Sequence, residues 1–137
     1  MGYKTPNKMF IPFINSAMDP GDGTTYAIVN YYTAKATTTN RAITLPCDGR
    51  ITAVALRWDC GTVGSNEAVE YYIRKNNTTD YTISTTVDQS ASSQVVLSNL
   101  NIPFVAGDYF WIKNVNPAWV TNPLQVRESG IILFECD

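Results

Sequence analysis

The chain has 137 residues, of which 45% are hydrophobic and only 16% are charged, and its net charge is −2. This length fits one domain with one core, and the absence of any Lys/Arg cluster, with a pI near 5.0, excludes a nucleic-acid-binding protein. Its polar residues are mostly Thr, Asn and Ser, which favour strands and turns over helices. We expect no membrane span, because no run approaches the roughly 20 apolar residues that one needs, and no secretory signal, because the N-terminus lacks a continuous apolar core.

The first 25 residues differ from the rest of the chain. Residues 9–14 are apolar but interrupted by Pro12, and residues 19–23 form a turn cluster, Asp-Pro-Gly-Asp-Gly. We therefore predict an extended N-terminal arm over residues 1–25, followed by a β-sandwich domain over residues 26–137. The arm either closes one edge of the sandwich or reaches a neighbouring subunit. Its predicted capsid or subunit contacts are Met9, Phe10, Ile11, Phe13 and Ile14.

From Tyr26 onwards, short β-patterned runs are separated by turn clusters. We predict eight strands, at residues 26–33, 41–45, 51–58, 69–74, 81–87, 94–100, 109–115 and 131–136. Residues 51–58 and 69–74 alternate apolar and polar or small positions, as strands with one face in the core do, and residues 76–80 (Asn-Asn-Thr-Thr-Asp) are typical of a hairpin loop. Because parallel neighbours need long crossovers, usually helical, this spacing predicts an antiparallel β-sandwich or jelly roll.

Catalytic patterns are sparse. The chain has no histidine, which removes the commonest general base and the commonest zinc ligand. Two of the carboxylates Asp59, Glu67 and Glu70 would suffice for a glycosidase pair, but solvated carboxylates at strand ends and loops are the simpler interpretation. Asp19 and Asp22 weakly resemble a calcium loop without its later ligands. We predict no enzyme, no metal and no cofactor.

Three cysteines, Cys47, Cys60 and Cys136, lack the CxxC spacing of a zinc site. Either one internal disulfide forms or all three are buried free thiols, and the sequence favours free thiols.

Most aromatic residues stand within predicted strands. Trp58, Tyr71, Phe110 and Trp111 are therefore expected in the core or at a subunit interface. Trp119 is different, because it stands in a loop with two prolines, residues 116–123. It is either an anchor for a partner, including a glycan, or a lid over the end of the sandwich.

The C-terminal third resembles the closing strands of the C1q and tumour-necrosis-factor jelly rolls. The resemblance rests on residues 105–112 (Val-Ala-Gly-Asp-Tyr-Phe-Trp-Ile), which follow Leu97 and Leu100, and on residues 129–134 (Ser-Gly-Ile-Ile-Leu-Phe). Residues 45–51 (Leu-Pro-Cys-Asp-Gly-Arg-Ile) are similar to the Pro-x-x-Gly approach to a central strand in that family. The resemblance implies a jelly-roll fold.

The whole chain, including residues 64–67 and the strand leading into residues 76–80, is similar to small virion proteins of tailed bacteriophages. That similarity implies a homotrimer on the virion surface, made in the host cytoplasm. We expect a capsid decoration, or cement, protein that clamps neighbouring major capsid protein subunits, with no nucleic acid and no membrane as partner. The alternative is a fibre or spike tip that binds a host surface glycan through Trp119.

Overall fold

The computed structural model describes residues 7–15, 18–29, 32–35, 42–65, 67–87 and 92–137. All regular structure in these ranges is β-strand, and no helix long and apolar enough to cross a membrane occurs among them. The strands are β1 (Asn7–Ile14), β2 (Thr25–Val29), β3 (Tyr32–Lys35), β4 (Ile43–Thr44), β5 (Gly49–Asp59), β6 (Val69–Lys75), β7 (Thr79–Val87), β8 (Ser92–Leu97), β9 (Ile102–Phe104), β10 (Tyr109–Val115) and β11 (Arg127–Cys136).

The strands form two antiparallel sheets. Sheet I has the order β1-β11-β5-β8, with β9 also paired to β5, and sheet II has the order β3-β2-β10-β6-β7, with β4 also paired to β10. The pairing is nested: β1 pairs with β11, β2 with β10, β5 with β8 and β6 with β7. Nested pairing of early with late strands is what results when one long hairpin folds over on itself. The fold is therefore a jelly-roll β-sandwich, as predicted.

The core lies between the two sheets, and side chains from alternate positions of the strands fill it. In β5 the inward positions are Ile51, Val54, Leu56 and Trp58, all at most 2% exposed. Alternate residues of β6 face them from sheet II, and Tyr71 there is fully buried. The predicted alternation of β5 and β6 is thus confirmed, because one face of each strand is buried.

Several predicted strand bounds were wrong, and β9 was not predicted. For example, β8 spans Ser92–Leu97 rather than residues 94–100. Residues 26–33 are not one strand, since β2 and β3 pair with each other through Ala27 and Ala34. The last strand begins at Arg127 rather than Ile131, because its first four residues extend the ladder with β5. The hairpin loop was correct: a turn follows β6, and Asn76 and Asn77 have φ of 49° and 56° there, a conformation that Asn tolerates.

Residues 7–14 of the predicted arm belong to the sandwich. They form β1, the outermost strand in the order of sheet I, and pair with β11 from Asn7–Cys136 to Ile14–Ser129. Asn15 N–H donates to the Glu128 carbonyl, so by alternation the even-numbered positions of β1 direct their backbone groups away from β11. Pro12 has no N–H to leave unpaired there, which makes proline acceptable in this strand. Residues 1–6, 16 and 17 lie outside the described residues, and the division of the chain at residue 25 stays a prediction.

The expectation of three free thiols was wrong. Cys47 and Cys136 form a disulfide, with their Cα atoms 5.9 Å apart, and Cys60 is the free, buried cysteine. The bridge forms because Gly49 pairs with Cys136 in the β5–β11 ladder, which brings the turn before β5 beside the end of β11. Sequence spacing alone does not reveal this contact.

Candidate functional site

The outer surface of sheet I carries an apolar area, which we call the apolar face. Its members point away from the core at alternate strand positions: Phe10, Pro12 and Ile14 of β1, Ile131 and Leu133 of β11, Ala53 and Ala55 of β5, and Val96 of β8. One row of cross-strand partners runs through Pro12, Ile131, Ala55 and Val96 and so spans all four strands. Phe10 is 65% exposed and Val96 69%. Such contiguous exposure marks an interaction surface more often than scattered single residues do.

Charged rows border the apolar face on both sides. On one side Glu135 is paired with Lys8 at 3.2 Å and with Arg50 at 3.5 Å. On the other side Asp59 is paired with Arg127 at 2.7 Å and with Arg57 at 3.8 Å. Each border thus holds two cations and one carboxylate and keeps one positive charge. The face is therefore an apolar strip with a charged, polar rim, the usual anatomy of a protein–protein interface.

A second apolar area lies at the end of the sandwich where β5 stops and β11 starts. We call it the loop-end patch: Val63, Val120 and Leu124, which are 49%, 88% and 42% exposed. The row of Arg127 and Asp59 separates it from the apolar face, which ends at Ile14 in the next row. The chain thus presents two distinct apolar surfaces.

Hydrogen bonds hold the two loops of this patch together. Thr62 and Leu124 exchange backbone hydrogen bonds of 3.2 and 3.0 Å. Ser65 N–H donates to the Thr121 carbonyl at 2.8 Å, and the Ser65 hydroxyl accepts from Thr121 N–H at 2.8 Å. The loops approach so closely that a Cβ on Gly64 would lie 2.3 Å from the Thr121 oxygen. A rigid apolar tip loses little conformational entropy when it binds a partner.

Glu67 stabilises the same two loops through hydrogen bonds. Its carboxylate accepts from Val120 N–H at 3.1 Å. Hydrogen bonding by Ser65, together with that of the Val120 backbone, lowers the pKa of Glu67 against a smaller opposing effect of burial. Glu67 is therefore ionised at neutral pH and serves loop structure.

The predicted contacts of the N-terminal segment divide into two groups. Phe10, Met9 and Ile14 are exposed, at 65%, 36% and 38%, and Ile11 is half-buried against the core. Phe13 is 2% exposed and packs in the protein's own core, so it has no surface for a partner. For the exposed residues a contact role stays a prediction.

Trp119 does not face solvent. It is 6% exposed and packs in the core cluster, which leaves no aromatic face on which a sugar ring can stack. The residue that follows it, Val120, is the one exposed there. Trp119 therefore lies over the end of the core, the second of its two predicted roles, and its burial gives no support to the glycan contact.

Sequence reasoning missed a buried polar cluster around Glu128 of β11. Asn114 of β10 donates to Glu128 Oε1 at 3.0 Å, and the Tyr71 hydroxyl of β6 donates to the same oxygen. Asn15, just after β1, donates its Nδ2 to Glu128 Oε2 at 2.5 Å and accepts from Glu128 N–H at 2.6 Å. The cluster therefore joins both sheets. Its signal in the sequence is a glutamate at an inward position of a strand whose next inward side chains are apolar.

Burial dominates the electrostatics of this cluster. Glu128 is 1% exposed, and desolvation raises its pKa to about 7 although the hydrogen bond from Tyr71 favours the charged form. Desolvation, with the charge and hydrogen bond of Glu128, also raises the pKa of Tyr71 well above its ordinary value. A carboxyl with a pKa near neutrality suits general acid–base chemistry, but at 1% exposure no substrate reaches this one.

The other candidate carboxylates each have a hydrogen-bond or ion-pair partner within the chain. Asp59 is paired with arginines as described, Glu70 accepts from the Tyr72 hydroxyl at 2.5 Å, and Asp19 accepts from Gln125 N–H at 2.9 Å. Within the described residues no group of three potential metal-ligating side chains occurs. Each of these carboxylates is therefore held by partners within the chain.

The Ala-Gly-Asp motif has a structural use. Asp108 accepts from Asn76 Nδ2 at 2.7 Å and from Val105 N–H at 3.0 Å, and it pairs with Lys75 at 2.8 Å. The hydrogen bonds from Asn76 and Lys75 lower its pKa to about 2. Gly107, with φ of 93°, completes this turn. The motif therefore fixes the turn before β10 to the hairpin after β6.

Comparison with known proteins gives no family assignment: no family model and no curated protein matches the chain. Among solved structures, a crystal structure of FLHE aligns with a TM-score of 0.50 at 11% identity, covering 95% of this chain and 98% of that one. The acid-stable capsid of Helicobacter pylori bacteriophage KHP30 aligns at 0.48 and 11% identity, covering 96% and 93%. The capsid of cyanophage Pam1 aligns at 0.46 and 14% identity, covering 100% and 89%. At such identities the likeness concerns the fold.

Proposed function

We propose that this chain is a virion structural protein, a homotrimeric capsid decoration protein that clamps neighbouring major capsid protein subunits. The observation that carries the proposal is the pair of separate apolar surfaces, the apolar face and the loop-end patch. A clamp needs one surface for its own copies and another for the shell. The choice of a virus shell as the partner rests on the resemblance to small virion proteins of tailed bacteriophages described in the sequence analysis.

The occupant of the apolar face is a second copy of the chain. Four strands at about 4.8 Å spacing make this face about 19 Å wide, and its three rows of alternate residues extend about 20 Å along the strands. The face therefore covers roughly 400 Å², which is small against the ~800 Å² per partner of a stable interface. Two such faces packed on each other form a weak dimer. A closed ring, in which each subunit buries this face and a different surface of its own, roughly doubles the buried area per subunit. A closed ring is therefore favoured over a two-fold pair, and the trimer is the ring that the resemblance to phage virion proteins implies.

The loop-end patch contacts the major capsid protein. Its three aliphatic side chains are held by loops that are already hydrogen-bonded, so binding needs little reordering. A trimer presents three copies of the patch, and binding to assembled but not to dissociated shell stabilises the assembled state by mass action. Linking three weak contacts also raises the overall affinity through effective concentration.

Two sets of variants separate the two surfaces. Phe10→Glu and Ile131→Glu place charge on the apolar face, and we expect light scattering to show monomers instead of trimers. Val120→Asp alters the loop-end patch, and we expect the trimer to persist while co-sedimentation with shells of the major capsid protein encoded in the same genome is lost. Thr82→Glu, at an exposed position of β7, is the matched control and changes neither result. A monomeric wild-type chain, or a trimer that does not bind these shells, overturns the proposal.

A further inference from the structure

The Glu128 carboxylate hydrogen-bonds across the two sheets, so its protonation changes the hydrogen bonds between them. It belongs to sheet I, while Tyr71 and Asn114, which donate to its Oε1, belong to sheet II. Asn15 donates to the other oxygen. Three donors converge on the carboxylate, and this arrangement satisfies the ionised form.

The protonated Glu128 carboxyl needs a hydrogen-bond acceptor, and the side chain of Asn114 can supply one. A carboxylic acid donates one hydrogen bond. The Asn114 Oδ1 atom is buried and has no hydrogen-bond partner among the described residues, although the Nδ2 of the same amide lies 3.0 Å from Glu128 Oε1. A half-turn of the Asn114 amide exchanges these two atoms and places the oxygen next to Oε1.

We propose that Glu128 is a proton-controlled tie between the sheets: as a carboxylate it accepts from Tyr71, Asn114 and Asn15, and as an acid it donates to Asn114, whose amide has turned over. The change balances without a co-reactant, because the proton comes from solvent during local opening and the two side-chain atoms of Asn114 exchange roles. The tie is independent of the proposed function and works in a monomer or a trimer.

The surroundings isolate this equilibrium from other charges. Of the described residues that contact the Glu128 carboxyl, Tyr71 is the one that titrates, and its raised pKa keeps it neutral. Across the ladder Glu128 faces Trp58, which carries no charge. Its chain neighbour Arg127 is directed outwards and pairs with Asp59. Cys60, whose pKa is raised by burial and by Asp59, also stays neutral.

Nuclear magnetic resonance tests the tie on the whole chain. With ¹³C in the glutamate carboxyls and ¹⁵N in the asparagine amides, we expect the Glu128 carboxyl signal to titrate with a midpoint near 7. The side-chain amide signals of Asn114 change with the same midpoint. A Glu128 midpoint near its ordinary value of 4.5, or Asn114 signals that do not follow Glu128, overturns the proposal.

Two variants sharpen the test. Tyr71→Phe keeps the ring but removes one donor to the ionised form, so the Glu128 midpoint rises; Tyr72→Phe, which removes a hydroxyl bonded to Glu70 on the outer side of sheet II, leaves it unchanged. Glu128→Gln leaves the Asn114 amide signals independent of pH in this range. An unchanged midpoint in Tyr71→Phe, or continued titration of the Asn114 signals in Glu128→Gln, contradicts the tie.

Discussion

Phe13 and Gly130 are partners across the β1–β11 ladder, and the Phe13 ring lies over the glycine. A Cβ on Gly130 would lie 2.4 Å from Phe13 Cζ and 2.1 Å from the carbonyl oxygen of Ala55. The glycine therefore creates the space through which the N-terminal strand inserts its aromatic side chain into the core. This contact fixes β1 to the core in addition to its pairing with β11.

Gly130→Ala should destabilise the protein by about 1 to 3 kcal/mol, because the added methyl group meets a backbone oxygen that cannot move without shifting β5. Chemical denaturation measures the loss. The matched control is Ser129→Ala, next in the chain and on the outer side of the sheet, which should change stability by no more than about 0.5 kcal/mol. Equal stability of the two variants would contradict the close contact.

Trp119→Ala should destabilise the protein by about 3 to 5 kcal/mol, since the side chain is 6% exposed and packs in the core. Its neighbour Val120 is 88% exposed, and Val120→Ala should stay within about 0.5 kcal/mol of the wild type. Thermal and urea unfolding compare the pair. A small effect of the tryptophan variant would place Trp119 at the surface and reopen its role as a partner contact.

Reduction of the Cys47–Cys136 disulfide should lower the free energy of unfolding by about 4 to 5 kcal/mol, because the bridge closes a loop across 89 positions of the unfolded chain. Unfolding with and without a reducing agent measures this difference. In the double variant Cys47→Ala, Cys136→Ala the reducing agent should have no effect. Persistence of its effect there would assign it to another group.

Stability should fall as the pH rises from about 4.5 to about 7. The pKa of Glu128 is raised by burial from its ordinary 4.5 to about 7 in the folded protein, so the folded state holds the proton more tightly than the unfolded state does. The stabilising contribution is complete below about 4.5 and lost above about 7, and its size is about 3 kcal/mol.

Glu128→Gln isolates this contribution, because Gln cannot titrate. The difference in unfolding free energy between wild type and variant, measured by urea denaturation at about pH 5 and about pH 8, should change by about 3 kcal/mol. If the difference is the same at both pH values, Glu128 has an ordinary pKa and the cluster does not respond to protons.

More of the fold than of the candidate site could be predicted from the sequence. The all-β class, the alternation of β5 and β6 and the Asn76–Asn77 turn follow from local patterns, and the structure confirms them. The apolar surfaces were only partly visible: Phe10 was among the predicted contacts, whereas Val96 and Ile131 join it only because β8 and β11 are neighbours of β5. The Glu128 cluster was missed because its donors come from strands far apart in the chain.

What the sequence determines by itself is the all-β class and, in strands such as β5 and β6, the side that is apolar, since alternation depends on residues two positions apart. Only the tertiary structure decides that β1 completes sheet I, that Cys47 meets Cys136, that Trp119 is buried and that Glu128 joins the two sheets. Each of these depends on nested pairing between the two ends of the chain. A period of two in the sequence states which side of a strand faces inwards, but it carries no information about which distant strand lies beside it.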